Sequence, residues 1–492
     1  MIKLRIAQLH RQIGWGAATA LLIWGVSSLM HPTMTWFGPQ AMHSFPPSMV
    51  LQGQALQNLS PLLEGVANLG ESRVVKLVPG EDGALLQLTL DQSSPRQYYD
   101  VSSQLPLAAH DLEQAKWLAS YYTGIDRTSI EGVEFMTSFS DEYPEINRLL
   151  PVYRVQFSTE SSLVAFVHTG TGALASLSNP FKDRVQWLFQ HLHTFKWLDG
   201  LEYGRVLLIA FFVLSLLATS VIGLMLVLSF KPRAIPDKKR RYHRRIAYVA
   251  WLPLLAWSAS GFYHLMQSSL IENEFGIRLD GPFNSLGATD FRSDSLDGLV
   301  GRSLNNLALI RSAEGRLYWR ASVARERSEE ATTREERFAG NPSEFVALYL
   351  PASSSGEPAQ LDDAQLAESL ALRFANADAQ AVANVSQVTH FGADYDFRNK
   401  RLPVWKVDLD DASGTTLFVD TATGVLVDRN KRSHRAEAWV FAILHKWNHL
   451  NGFTGAMLRD VLIVATIFML LTLGVFGIGL LGKRRRAVPR HA

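Results

Sequence analysis

The sequence predicts a membrane α-helical protein: four transmembrane helices arranged as a parallel internal repeat, with two external α+β domains between them. Three observations predict it. Segments 12–31, 206–230, 246–271 and 461–482 contain no Asp, Glu, Lys or Arg, and a helix needs about 20 apolar residues to cross a bilayer core. Basic residues concentrate in three short pieces. The chain also carries one motif twice: HRQIGWGAATALLIWGVSSLMH (His10–His31) and HRRIAYVAWLPLLAWSASGFYH (His243–His264) align without a gap. They share His10/His243, Arg11/Arg244, Trp24/Trp257, Ser27/Ser260 and His31/His264.

Charge sets the expected topology. The 492-residue chain has a net charge of +2, 48 Lys and Arg against 46 Asp and Glu. The N-terminal tail, the loop 231–245 and the tail 483–492 hold 16 of the basic residues and one acidic residue, leaving 32 against 45 elsewhere. Short basic loops stay in the cytoplasm. Both termini and the middle loop are therefore expected inside a bacterial inner membrane, with the two long segments in the periplasm. The first apolar run is followed by no small-x-small cleavage site, so it reads as a helix rather than a cleaved signal. The chain has no cysteine, which excludes disulfides, Cys-ligated clusters, thiolate zinc sites and c-type haem attachment.

The expected order is a tail and helix 1 (1–31), a first external domain (32–204), helix 2 (205–230), the basic loop (231–245) and helix 3 (246–271). A second external domain (272–456), helix 4 (457–482) and a basic tail (483–492) complete it. Within 32–204 a helix is expected near 50–68 and strands at Arg73–Leu77, Ala84–Leu90 and Gln97–Val101. Apolar residues at helical spacing predict a helix over His110–Thr123, and alternation predicts strands at 150–157 and 163–177. Residues 272–456 follow the same plan at an offset of 252: Leu150/Leu402, Pro151/Pro403, Val155/Val407, Gly172/Gly424, Trp187/Trp439, His193/His445. Asp362–Asn376 is the matching helix. Residues 321–342 are charged and nearly lack apolar groups, which predicts a loop insertion or local disorder.

An Ala- and Leu-rich helix, LPVxxV, a strand and then D-x-x-T-G-x-[VL] resemble a PepSY domain. VDTATGVLV in the second segment matches more fully than the first, where His168 stands at the position of Asp420. Two such domains alternating with four helices resemble the PepSY-associated transmembrane family over nearly the whole chain. The resemblance implies two external PepSY-like domains, two b-type haems, and reduction of ferric siderophores at an inner membrane.

Haem b often takes histidine axial ligands. His10 and His243 are expected at the cytoplasmic end, His31 and His264 at the outer end, each pair facing across a shared central space and bound to one haem iron. The 21-residue spacing rises about 31 Å and keeps both histidines near one helix face. Polar groups inside a membrane are costly and usually functional. Interfacial placement of four amphipathic rings is the plainer alternative. Trp24 and Trp257 lie seven residues before the outer histidines and so point between the two haems, either assisting them or filling the bundle core. Arg11 and Arg244 suit haem propionates, or simply the positive-inside pattern. Ser27 and Ser260 could orient a ligand or bond their own helices. His193 and His445, in aromatic-rich stretches read as interfacial helices, form a rival ligand set for the outer haem.

No GxGxxG follows a strand and no Walker motif occurs, so the chain has no flavin or nucleotide domain of its own. Electrons would come from quinol or a separate cytoplasmic flavoprotein and pass to a ferric siderophore or another periplasmic acceptor. The expected partners are membrane lipid, donor and acceptor, with no nucleic acid. Two rivals stand beside this reading: a membrane-anchored binding or regulatory protein without redox activity, and a siderophore or iron permease component.

Overall fold

The computed structural model describes residues 2–201, 203–229, 237–271, 278–284, 291–292, 294–324, 345–353 and 361–485. It divides into two units. One comprises Met1–Gly38, Pro180–Asn273 and Ser433–Ala492; the other comprises Pro39–Asn179 and Glu274–Arg432.

The first unit is helical. Helix α1 (Ile2–Ser28) continues into α2 (Met30–Phe37). In the second unit, α3 is Gly53–Gly65 and α4 His110–Thr123. Back in the first, α5 is Pro180–His193, α6 Gly204–Ser229 and α7 Lys238–Leu270. The remaining helices are α8 (Asp363–Ala375, in the second unit), α9 (Arg432–Val440) and α10 (Asn451–Arg485), which is interrupted at Gly455. Four helices are long and apolar enough to cross a membrane: Leu4–Phe37, Gly204–Ser229, Lys238–Leu270 and Gly455–Gly482. Each of α1 and α7 packs against both α6 and α10, which sets α1 and α7 on one diagonal of a four-helix bundle. Small residues make this packing close. A Cβ on Gly16 would meet Ser215 Oγ at 3.0 Å, and Ala17, Ala20 and Ala250 are buried. Lipid-solvated helices associate through such residues because no hydrophobic drive separates them from lipid. Leu207, Phe211, Val249 and Val475 remain exposed on the outer faces.

Two boundaries differ from the expectation. The loop expected over 231–245 is helical from Lys238, because Asp237 caps α7 by accepting the backbone N–H of Arg240 at 3.2 Å. An N-cap carboxylate outweighs the basic first turn that made this stretch read as a loop. Residues 321–324, read with the charged insertion, instead close a strand; 325–342 lie outside the described residues, as do 486–492 of the basic tail.

The second unit is α+β. Its strands are β1 (Met49–Val50), β2 (Val74–Pro79), β3 (Ala84–Thr89), β4 (Gln97–Asp100), β5 (Pro106–Leu107), β6 (Ile130–Met136), β7 (Val152–Phe157), β8 (Val164–His168) and β9 (Ala173–Ser178). The later segment adds β10 (Ser303–Arg311), β11 (Leu317–Ala324), β12 (Phe345–Pro351), β13 (Val382–Val388), β14 (Val404–Leu409), β15 (Thr416–Asp420) and β16 (Val425–Asn430). Two antiparallel four-stranded sheets, β6–β9 and β13–β16, each follow a helix, α4 or α8. A third sheet is shared by the two segments in the order β12-β11-β10-β2-β3-β4-β5, joined where Leu307 pairs with Leu77. Successive strand residues point to opposite faces, and β14 is buried on both: Val407 and Leu409 pack on the face of α8, while Val404 joins the core of Tyr395 and Phe418 on the other.

Positions 252 apart share unusual backbone geometry. Positive φ occurs at Gly124 and Asn376, Arg148 and Lys400, Ser162 and Gly414, Gly172 and Gly424, and Phe195 and Trp447. Tyr143 and Tyr395 are both fully buried and donate to the carbonyls of Leu149 and Arg401. With Phe166 and Phe418 they belong to one core between the small sheets.

Candidate functional site

The histidines of the helical unit gather at two levels. At the first, His10 on α1 and His243 on α7 lie close enough to interact electrostatically. Two glycines make room for them. A Cβ on Gly223 of α6 would lie 3.5 Å from His10 Cε1, and one on Gly477 of α10 would lie 3.6 Å from His243 Cε1. His243 Nδ1 lies 3.3 Å from the Leu473 carbonyl. A carbonyl only accepts, so Nδ1 carries the proton and the Nε2 lone pair is bare. His10 Nδ1 is buried with no hydrogen-bond partner among the described residues.

At the second level, His193 ends α5, and His445 ends a π-helical turn (Phe441–His445) that follows α9. A neighbouring helix grips each of them twice. Trp24 Nε1 donates to the His193 carbonyl at 3.0 Å, and Trp257 Nε1 donates to the His445 carbonyl at 3.0 Å. Ser27 Oγ lies 2.9 Å from His193 Nδ1, and Ser260 Oγ lies 3.1 Å from His445 Nδ1. Each hydroxyl also reaches a carbonyl of its own helix, Trp24 O at 3.2 Å and Trp257 O at 3.1 Å. With the hydroxyl proton on that carbonyl, the serine oxygen accepts from Nδ1–H, the tautomer that leaves Nε2 as a lone-pair donor. Each serine bonds its own helix, one of the two roles considered from sequence, and also contacts a histidine of another element. Phe189 and Phe441 stack on the two rings at 4.6 and 4.5 Å.

Burial holds His193 neutral, with its pKa lowered to about 4 and His31 beside it adding to the shift. Burial does the same to His445, lowering it to about 3, with His193, His264 and Lys446 adding smaller contributions. These histidines influence one another electrostatically, His31 with His193, His193 with His445, and His445 with His264, and the Phe441 ring contacts both His264 and His445, at 4.9 and 4.5 Å. His264 is half in solvent, and its Nδ1 pairs with Glu437 Oε1 at 2.6 Å; His31 is also exposed.

Trp24 and Trp257 pack in the bundle core. Trp24 meets Phe212 edge-on at 5.9 Å, and Trp257 stacks on Trp447 at 5.3 Å. Their ring N–H groups hold the chain where it reverses after each outer histidine, beside the left-handed Phe195 and Trp447. Arg11 is exposed, and Arg244 lies against Tyr248, donating to its hydroxyl at 3.2 Å. Gly223, Gly477 and Glu437 went unnoticed in the sequence. None has a partner at the repeat offset, so only the three-dimensional packing singles them out.

Among the described residues no group of three or more His, Asp or Glu is placed to hold a bare metal ion. Imidazoles stand two at each level, His10 with His243 and His193 with His445. That number fits haem b, whose porphyrin supplies four of the six iron donors and leaves two axial positions to the protein. The orphaned Nδ1 of His10 and the glycines beside His10 and His243 agree with this fit. No family model and no curated protein matches the chain.

Proposed function

We propose that the chain is a bacterial inner-membrane b-type di-haem oxidoreductase that delivers electrons to a periplasmic ferric siderophore. One observation carries the reading: His193 and His445 are held alike, each with its Nδ1 against a serine and its carbonyl bonded by a tryptophan of the neighbouring helix, and they interact electrostatically. His10 and His243 form the corresponding inner pair. Haem b, when bound, supplies one-electron carriage, and reducing Fe(III) to Fe(II) weakens its hold by hard oxygen ligands. The protein's own part is to keep four imidazoles deprotonated, oriented and dry. Ser27 and Ser260 make the axial imidazoles more basic. Trp24 and Trp257 fix the height of the outer pair. Arg11 and Arg244 would meet propionates on the inner side.

Ser27 and Ser260 are seventeen residues from His10 and His243, a rise of about 26 Å. The outer pair His193 and His445 thus sits about one turn closer to the inner pair than His31 and His264 do. The shared backbone geometry at the 252 offset supports reading the chain as a parallel duplication carrying two PepSY-like domains, with both termini cytoplasmic. The donor is quinol or a cytoplasmic flavoprotein.

The test is haem stoichiometry and reduced-minus-oxidised spectra of the purified protein. Sharp b-type bands and two haems per chain are expected, with reoxidation by a ferric siderophore. His193→Ala and His445→Ala should each lose one haem, and His10→Ala and His243→Ala the other, while His31→Ala and His264→Ala keep both. A protein without b-type bands overturns the redox reading. Loss of a haem in His31→Ala and His264→Ala, but not in His193→Ala and His445→Ala, moves the outer ligation to that pair.

A further inference from the structure

The α+β unit buries more positive charge in one place than it neutralises. Lys76 on β2, Arg96 ahead of β4 and Arg401 ahead of β14 are 3 %, 7 % and 8 % exposed. They interact electrostatically with one another and with His168 at the end of β8, whose Nε2 lies 3.5 Å from Arg96 Nη2. Two carboxylates stand against them. Asp420 accepts from Arg401 Nη1 at 2.5 Å. Asp111 takes the backbone N–H of Arg96 and the hydroxyls of Tyr98 and Tyr153. The nearby Arg320 is already matched by Asp363 at 2.7 Å. His168 is uncharged in this setting, so with Lys76 protonated one positive charge has no counterpart among the described residues.

The hydrogen bonds show the same shortfall. Lys76 Nζ has one acceptor for three N–H groups, the Gly170 carbonyl at 2.7 Å. Arg96 reaches Ser94 O at 3.2 Å and His168 Nε2 at 3.5 Å, and its Nε is buried with no partner among the described residues. Arg401 spends Nη1 on Asp420 and Thr423, and its Nε is likewise buried with no partner. A buried donor without an acceptor is costly, and an unpaired buried charge costs more. Gly170 makes the crowding possible, since a Cβ there would come within 2.9 Å of Arg96 Nη2. The three cations come from around three sheets: Lys76 from the shared one, Arg96 beside the β8–β9 turn, Arg401 beside the end of β15.

We propose that this locus binds one small oxyanion, a phosphate- or carboxylate-sized group held jointly by Lys76, Arg96 and Arg401. An oxyanion presents several acceptors at once and matches the planar fork of a guanidinium, whereas a halide offers a single point. The site does not depend on the redox reading, and it draws on residues of both external segments, so its occupancy ties β2, the approach to β4 and the approach to β14 together.

The full-length protein, exchanged into anion-poor buffer, is titrated with inorganic phosphate, sulfate and acetate at fixed ionic strength, with chloride as the balance. Binding is read by calorimetry and by thermal unfolding. One saturable site per chain and a rising Tm are expected for at least one oxyanion. Lys76→Met should weaken that affinity about thirtyfold or more, as expected for loss of one buried charged partner, while unfolding in anion-poor buffer no earlier than the parent. Arg401→Gln, combined with Asp420→Asn to avoid stranding the carboxylate, should weaken it as well. No saturable effect of any of the three oxyanions on the parent overturns the proposal, and so does an unchanged response in folded Lys76→Met.

Discussion

Replacing Ser27 by Ala removes one oxygen and tests whether the serines act on the histidines. Ser27 is fully buried, and its Oγ is the acceptor 2.9 Å from His193 Nδ1. In the alanine protein that N–H stays buried and loses its acceptor. Leaving one buried donor unsatisfied costs about 1–3 kcal/mol, which corresponds to about five- to 150-fold in an equilibrium. Removing a hydrogen bond behind a metal-ligating histidine lowers metal affinity about 10–100-fold, within the same range. The outer haem of Ser27→Ala should therefore transfer to apomyoglobin with an affinity about 10–100-fold weaker than the parent's, and its midpoint potential should shift while the inner haem's stays put. Ser260→Ala should behave alike through its 3.1 Å contact with His445. The two should not add fully if both histidines hold one haem, as proposed. Ser258→Ala is the control: its hydroxyl is buried but bonds only its own helix, at Leu254 O. An outer haem held equally tightly by parent and Ser27→Ala, or released equally by Ser258→Ala, refutes the reasoning.

Other outcomes follow from the same geometry. Gly223→Ala should keep the inner haem, because its Cβ would meet His10 at an ordinary 3.5 Å; Gly223→Val, with two further methyls, should displace the ring and lose that haem, counted by pyridine haemochrome. Burial, with the Arg401 charge nearby, lowers the Lys76 ammonium from 10.5 to about 7. The unfolded chain therefore binds the extra proton between pH 7 and 10.5. Stability in anion-poor buffer should rise with pH across that window, and Lys76→Met should flatten the rise in denaturant midpoints. Asp363 pairs with Arg320 where both are nearly buried, so Asp363→Asn should destabilise by about 3–5 kcal/mol. The double Asp363→Leu, Arg320→Met should cost far less, since it strands no charge.

Most elements were legible because they rest on local signals. The His110–Thr123 helix has the predicted bounds, and Asp362 with Gln365 forms the capping box that starts α8. The four spans follow from the absence of charge alone. What sequence could not show depends on pairing across distance. The shared sheet needs β2 to find β10, and nothing in VVKLVP or SLNNLALIR names the other. At the candidate site the repeat exposed His193 and His445, but not their standing. That came from the serine and tryptophan contacts of α1 and α7, which relate residues more than 160 positions apart. The basic cluster was hidden for a similar reason. Lys76 sits among apolar neighbours in β2 and reads as an outward-facing strand residue until the three sheets close over it.

The pairing of Leu77 with Leu307 also constrains how the chain is made. The partners are 230 residues apart, and α6 and α7, two of the four membrane-length helices, lie between them. At about 5–20 residues per second of synthesis, β2 waits on the order of tens of seconds with a backbone edge unpaired. An open edge is an invitation to other strands. During biogenesis the early segment is therefore an incomplete fold that needs shelter, and a chain truncated after α6 should be a substrate for chaperones and proteases rather than half of a working protein.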